Sequence, residues 1–268
     1  MYLSLLHVDV RNRPAQDWLR NIYRIHQRLW MAFPDERRLS EDPFFLNPWS
    51  GSDIPEPKPS RQSAGFLFRI ERDGPPRILV QSVERPAWDY AFQNAPHLLG
   101  TAPQVRQFDP VPRCGELYRF RLLANIVKNR SVPRADGSTR TTKAGLTITK
   151  RTRKPSPVRL TALSEVASDD NQERNVLQKA RFEPWRTWLA SMAHGFAVFD
   201  DEENPLRMQE VYTVVRNPKW QNPRRFNAGM FDGVITCTDA QQLADTIHNG
   251  IGPAKAFGFG LLSIAQVG

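Results

Sequence analysis

Two cysteines in 268 residues are too few for a disulfide framework. Cys114 and Cys237 lie far apart, and neither has a His or Cys partner at ligand spacing, so no structural zinc site is expected either. Reduced thiols fit a cytoplasmic setting. No uninterrupted apolar run approaches the ~20 residues a membrane-spanning helix needs, so no membrane partner is expected. Residues 1–10 are broken by His7 and Asp9, without a basic leader or a small-residue cleavage site, and read as a strand rather than a signal peptide. The hydrophobic fraction of 40% is low-normal but still supplies two small cores, and 22 prolines with 15 glycines imply many turns between them.

Charge is plentiful and unevenly placed. Between positions 128 and 159 stand ten Lys/Arg against one acid, Asp136, a local excess of +9. The rest of the chain holds 27 basic and 27 acidic residues and is neutral. A neutral body with one cationic segment suits a polyanionic partner, because each phosphate neutralised releases counterions. A solubilising loop is the plainer alternative, although such loops usually mix both signs.

Periodicity orders the remainder. A strand over 2–10 precedes a helix capped by Asp17 and running to Ala32, with Trp18, Ile22, Ile25, Leu29 and Ala32 on one stripe. A long loop over 34–64, strands at 65–72 and 77–83, a helical piece at 88–92 and a weak strand at 104–108 complete a β-α-β-β-α-β order. The order then repeats: a strand at 116–126, a helix at 183–193, strands at 209–216 and 230–236, a helix capped by Thr238 or Asp239, and a last strand at 258–264. This predicts an α+β protein with tandem ferredoxin-like (βαββαβ) domains, 1–112 and 113–268, the second carrying a basic insertion at about 128–180. The layout is common among RNA-binding modules.

Tyr23 and His26 are three residues apart and share a helix face at the edge of the apolar stripe. They fit either of two descriptions: inert flank residues of an amphipathic helix, or a proton-handling pair. An imidazole with an ordinary pKa near 6.5 exchanges protons at neutral pH, and a phenol near 10 stays a donor. Such a pair suffices for RNA cleavage by an internal 2′-hydroxyl, and no clustered His/Asp/Glu set resembles a nuclease metal site. No cofactor is expected: the run from Gly250 to Gly260 lacks the Gly-Lys-Ser/Thr ending of a P-loop. Gly252, Gly258 and Gly260 permit close backbone approach to a phosphate, or simply a tight turn, and Lys255 adds a point charge. Arg216, Lys219, Arg224 and Arg225 on a long hairpin tip, and Lys128 and Arg130 after the central strand, are further phosphate candidates.

Three segments carry a family resemblance. Ile22-Tyr23-Arg24-Ile25-His26-Gln27-Arg28-Leu29 resembles the catalytic helix of the CasE family, the CRISPR RNA-processing endoribonucleases of the type I-E Cascade complex. The run from Gly250 to Ser263 resembles that family's glycine-rich loop and last strand, and Tyr118-Arg119-Phe120-Arg121-Leu122-Leu123-Ala124-Asn125 its central strand. The resemblance implies metal-independent cutting at the base of a CRISPR repeat hairpin RNA and retention of the product among other Cascade subunits. It also places His26 and Tyr23 at the catalytic positions. A non-catalytic RNA-binding subunit of a ribonucleoprotein is the rival, separated from it only by that pair.

Overall fold

The structure is a computed structural model that describes residues 1–33, 65–133, 135–141, 147–149, 151–162, 171–216 and 220–267. The expected loop over 34–64 lies outside the described residues. Two compact units emerge, one formed by residues 1–125 with 194–268, the other by residues 126–193.

In the first unit the chain opens with β1 (Tyr2–His7), α1 (Arg13–Leu19), α2 (Ile22–Trp30), β2 (Phe66–Glu71), β3 (Arg77–Ser82), α3 (Trp88–Phe92) and β4 (Gln104–Gln107). These strands form an antiparallel sheet in the order β2-β3-β1-β4. After β5 (Leu117–Asn125) come β6 (Val127–Pro133), β7 (Thr139–Thr141), β8 (Thr147–Thr149), β9 (Arg151–Pro157) and α4 (Asn171–Met192). The chain closes with β10 (Phe196–Phe199), β11 (Arg207–Val215), β12 (Arg224–Cys237), α5 (Ala240–Asn249) and β13 (Leu262–Gln266). The second sheet runs β10-β12-β5-β13, with β11 continuing β10's place along β12. Both sheets therefore share one permutation, second-third-first-fourth strand, which is the ferredoxin-like arrangement in tandem.

The helix expected over 17–32 is two helices. Asn21 adopts an extended backbone (φ −115°, ψ 93°) and its side chain accepts from the Arg24 N–H, ending one helix and capping the next. Asn12, not Asp17, caps α1, with Pro14 in its first turn. Asp239 caps α5 by accepting from the Gln242 N–H. Helix α4 begins well before 183 and runs through Pro184, β12 reaches back to Arg224, and β13 starts only at Leu262, because 250–261 is a loop.

Burial explains why α2 is fixed. Ile22, Ile25 and Leu29 are buried with Leu6, Phe68, Ile78 and Val80 in the first core, each such side chain stabilising by about 1.5–3 kcal/mol. Arg28, also buried, donates to the Ala91 carbonyl (2.9 Å) and to Asn94 Oδ1 (2.7 Å), tying α2 to the end of α3. Burial pulls its pKa down to about 10, which leaves it charged at neutral pH.

The two sheets are joined by buried polar groups. Arg69 on β2 donates to the Arg121 and Leu261 carbonyls (3.0 Å each) and to Ser263 Oγ (2.9 Å), and pairs with Glu71. Gln81 on β3 donates to the Ile247 carbonyl of α5 (2.7 Å).

The second unit is a β-ribbon on a helix. Strands β6 and β9 pair antiparallel, β7 and β8 pair beyond them, and periodicity missed all four because nearly every residue is exposed. The ribbon's base is pinned by α4: the Trp188 indole donates to the Val127 carbonyl (3.0 Å) and the Trp185 indole to that of Val158 (2.9 Å).

Candidate nucleic-acid-cleaving site

Helix α2 presents Tyr23 and His26 side by side, both half-buried. Their surroundings come from β2, where Phe66 and Phe68 alternate on one face. The His26 ring stacks on Phe66 (centroids 5.4 Å, 28° between planes) and Phe68 (6.1 Å, 22°), and meets Trp30, one helical turn on, edge-to-face at 5.4 Å. This aromatic box was not foreseen, although the Phe-x-Phe spacing on the strand after the helix was its signal.

The box decides the protonation state. His26 Nδ1 is buried and has no hydrogen-bond partner among the described residues. Burial lowers the pKa to about 4. The imidazole is therefore neutral at pH 7, with its affinity for a proton reduced.

The glycine-rich loop packs against this helix. Gly258 has φ +79°, and a Cβ there would sit 3.2 Å from Phe68 Cε2 and 3.3 Å from Ile22 Cδ1. One residue thus touches both the helix that carries His26 and the ring beneath the imidazole. Gly260 (φ +90°) is buried as well, and a Cβ would lie 2.7 Å from the Ile251 carbonyl oxygen. Gly258 and Gly260 face protein. Gly252, also at positive φ, is half-buried. Lys255 is half-buried too, and burial lowers its pKa from the ordinary lysine value.

The β11–β12 hairpin returns to the same neighbourhood. Trp220 meets Phe257 at 5.8 Å, and Phe257 packs on the first core. Arg224 lies 4.3 Å over the Trp220 ring and Arg225 4.3 Å over Tyr212. Arg216, Arg224 and Arg225 are exposed, whereas Lys219 lies outside the described residues. Tyr23, His26, the glycine loop and this hairpin base form one cluster in the first unit. Lys128 and Arg130 are exposed on β6 of the second unit. Among the described residues no three His, Cys, Asp or Glu side chains converge as a metal-binding group, and no helix is long and apolar enough to cross a membrane.

Against known proteins, the model of a family described as "CRISPR associated protein" matches residues 1–266. The Cascade subunit CasE of Escherichia coli is 25% identical over the full length of both chains. The CRISPR-associated endoribonuclease Cse3 of Thermus thermophilus is 25% identical over 99% of this chain and 100% of its own. Among solved structures, Thermus thermophilus Cse3 bound to an RNA representing a pre-cleavage complex aligns with a TM-score of 0.56 at 23% identity, covering 99% of this chain and 98% of that one. A Cse3 structure bound to a 19-nt RNA gives 0.57 at 23%, covering 99% and 100%. With the family model spanning nearly every residue and relatives aligned end to end, the chain belongs to the CRISPR-associated protein family, in its CasE group.

Proposed function

We propose that this protein is an endoribonuclease that cuts CRISPR precursor RNA at the base of the repeat hairpin and retains the product within a cytoplasmic Cascade complex. Its relatives carry the names of a Cascade subunit and a CRISPR endoribonuclease. The observation that carries the reading to chemistry is His26, a neutral imidazole whose inner nitrogen is sealed among aromatic rings at the edge of a rigid helix. Residues 1–112 and 113–268 serve as its two ferredoxin-like domains.

Cleavage needs no metal and no water nucleophile. Nε2 of His26 takes the proton of the 2′-hydroxyl upstream of the cut, and the freed oxygen attacks the adjacent phosphorus in line. The bond from phosphorus to the 5′-oxygen breaks, giving a 2′,3′-cyclic phosphate and a 5′-hydroxyl. The Tyr23 phenol supplies a proton toward the scissile phosphate and its leaving oxygen. Gly258 and Gly260 hold the loop in place against α2, while Gly252 and Lys255 offer it to the RNA backbone. Arg216, Lys219, Arg224 and Arg225 grip the stem near the site, and Lys128 and Arg130 on the ribbon add phosphate contacts.

A labelled hairpin RNA incubated with the protein in EDTA tests this. Cleavage by the wild type, its loss in His26→Ala with binding kept, and its loss when the 2′-hydroxyl upstream of the cut is replaced by hydrogen are the expected outcomes. A shifted but intact band with the wild type makes the protein a passive RNA holder. Normal cutting of the deoxy substrate removes the internal nucleophile.

A further inference from the structure

An open cleft of about 690 Å³ lies beside the first turn of α2, lined by Asp17, Arg20, Asn21, Arg24, Val214 and Arg216. Three guanidiniums face one carboxylate there. Asp17 accepts from Arg20 at 3.2 Å, and the lining side chains are predominantly cationic. Its walls come from the junction between α1 and α2 and from the end of β11, elements far apart in sequence. Two of its arginines, Arg20 and Arg24, have no place in the proton chemistry above.

The cleft is rigidly built. The Asn21 side chain accepts from the Arg24 N–H, and the Trp18 indole, itself buried, donates to the Arg24 carbonyl at 3.3 Å. The opposite wall is fixed by Val215, which is fully buried in the first core directly between Val214 and Arg216. That wall also carries apolar surface toward solvent. Tyr212 and Val214 alternate on β11, are 54% and 49% exposed, and are joined by Arg225, which pairs opposite Val214 and lies over the Tyr212 ring. Guanidiniums beside an exposed aromatic and aliphatic face match the chemistry of a sugar–phosphate chain with a base attached. An acidic peptide would use the cations but not the apolar face.

Position along α2 relates the cleft to the cut. On a helix of about 3.6 residues per turn, His26 lies about 60° to one side of Tyr23 and Arg24 about 100° to the other. Tyr23 therefore stands between the imidazole and the arginines. We propose that the Arg20–Arg24–Arg216 cleft is a ribonucleotide subsite that holds the phosphate next to the scissile one, with the Tyr212–Val214 face taking the attached nucleoside. This deepens the reading of α2 as an RNA-cutting surface and rests on it. Arginine is suited to the task because its planar fork can bind two phosphate oxygens at once.

The test uses the full chain and a hairpin RNA made uncleavable by one 2′-deoxy substitution at the cut. Each phosphate flanking the cut is replaced in turn by an uncharged methylphosphonate, and affinity is measured for the wild type, for Arg20→Gln with Arg24→Gln, and for Arg216→Gln. One flanking position should cost the wild type about tenfold or more, the loss expected for a charge-assisted contact, and should cost the variants about twofold or less. Equal losses for wild type and variants at every position overturn the subsite. Should the double variant fail to fold, Arg216→Gln, exposed and on a different element, decides alone. The readout is binding, so a wild type that shows the pattern but never cuts the ribo form defeats the nuclease reading and leaves the subsite standing. A wild type that cuts without the pattern does the reverse.

Discussion

Arg69 and His26 sit on adjoining elements of one core and are treated in opposite ways. The Arg69 guanidinium is buried and saturated, with two carbonyls, a hydroxyl and the Glu71 carboxylate around it. The His26 imidazole is half-buried, yet its Nδ1 has no hydrogen-bond partner among the described residues. A buried polar group that is fully paired holds sheets together. One left unpaired costs stability, and its environment tunes its proton affinity instead. The first belongs to the architecture, and the second is where the proposed cleavage chemistry is placed.

Substitutions can break that contrast. The largest effect is expected for His26→Ala, which should lower the cleavage rate by roughly 10²–10⁴-fold in single-turnover assays, the range a general base contributes. The same change should cost less in urea denaturation than the loss of Arg69, since it removes ring contacts with Phe66, Phe68 and Trp30 but, among the described residues, no hydrogen bond to Nδ1. Arg69→Ala should behave in the opposite sense. It leaves the Glu71 carboxylate without its nearest cation and frees two carbonyls, and should cost about 3 kcal/mol of unfolding free energy. A matching loss of stability in His26→Ala, or none in Arg69→Ala, would erase the distinction.

A smaller effect follows from pH. The folded-state pKa of His26 is about 4, below the ordinary 6.5, so the unfolded chain binds this proton first as pH falls. Its contribution is fully present above about pH 6.5 and is lost as pH drops toward 4, at up to about 1.4 kcal/mol per unit. His26→Gln should flatten that part of a stability–pH curve, and an unchanged curve would mean that the ring is hydrated in solution. The smallest effect is at the loop: Gly258→Ala should cost about 1–2 kcal/mol, because φ +79° disfavours a side chain and Phe68 stands in the way of one. Its melting temperature checks this, and a neutral result would mean that the loop yields.

How far the sequence could be read depended on what each feature rests upon. The tandem β-α-β-β-α-β order was legible because β1, β2, β3, β5 and β12 each carry apolar side chains inward in short runs. The placing of Tyr23 and His26 on one helix face was legible from spacing and family likeness together. The break at Asn21 was not, since the apolar stripe continues across it and the capping bond is a local event. The ribbon of β6 to β9 was invisible for a different reason: its strands bury almost nothing, so alternation carries no signal. The aromatic box around His26 depends on the approach of β2 to α2, which are separated in sequence by residues 34–64, and only tertiary structure brings Phe66 and Phe68 to the imidazole.

The neutrality of that imidazole is where the mechanism is most exposed. Single-turnover cleavage of a hairpin RNA in EDTA, followed from about pH 4 to 8, should hold nearly level from about pH 8 down to about 5 and then fall as His26 takes up its proton near pH 4. A rate that rises steadily as the pH is lowered through this range would require the protonated ring, and would contradict its role as the base.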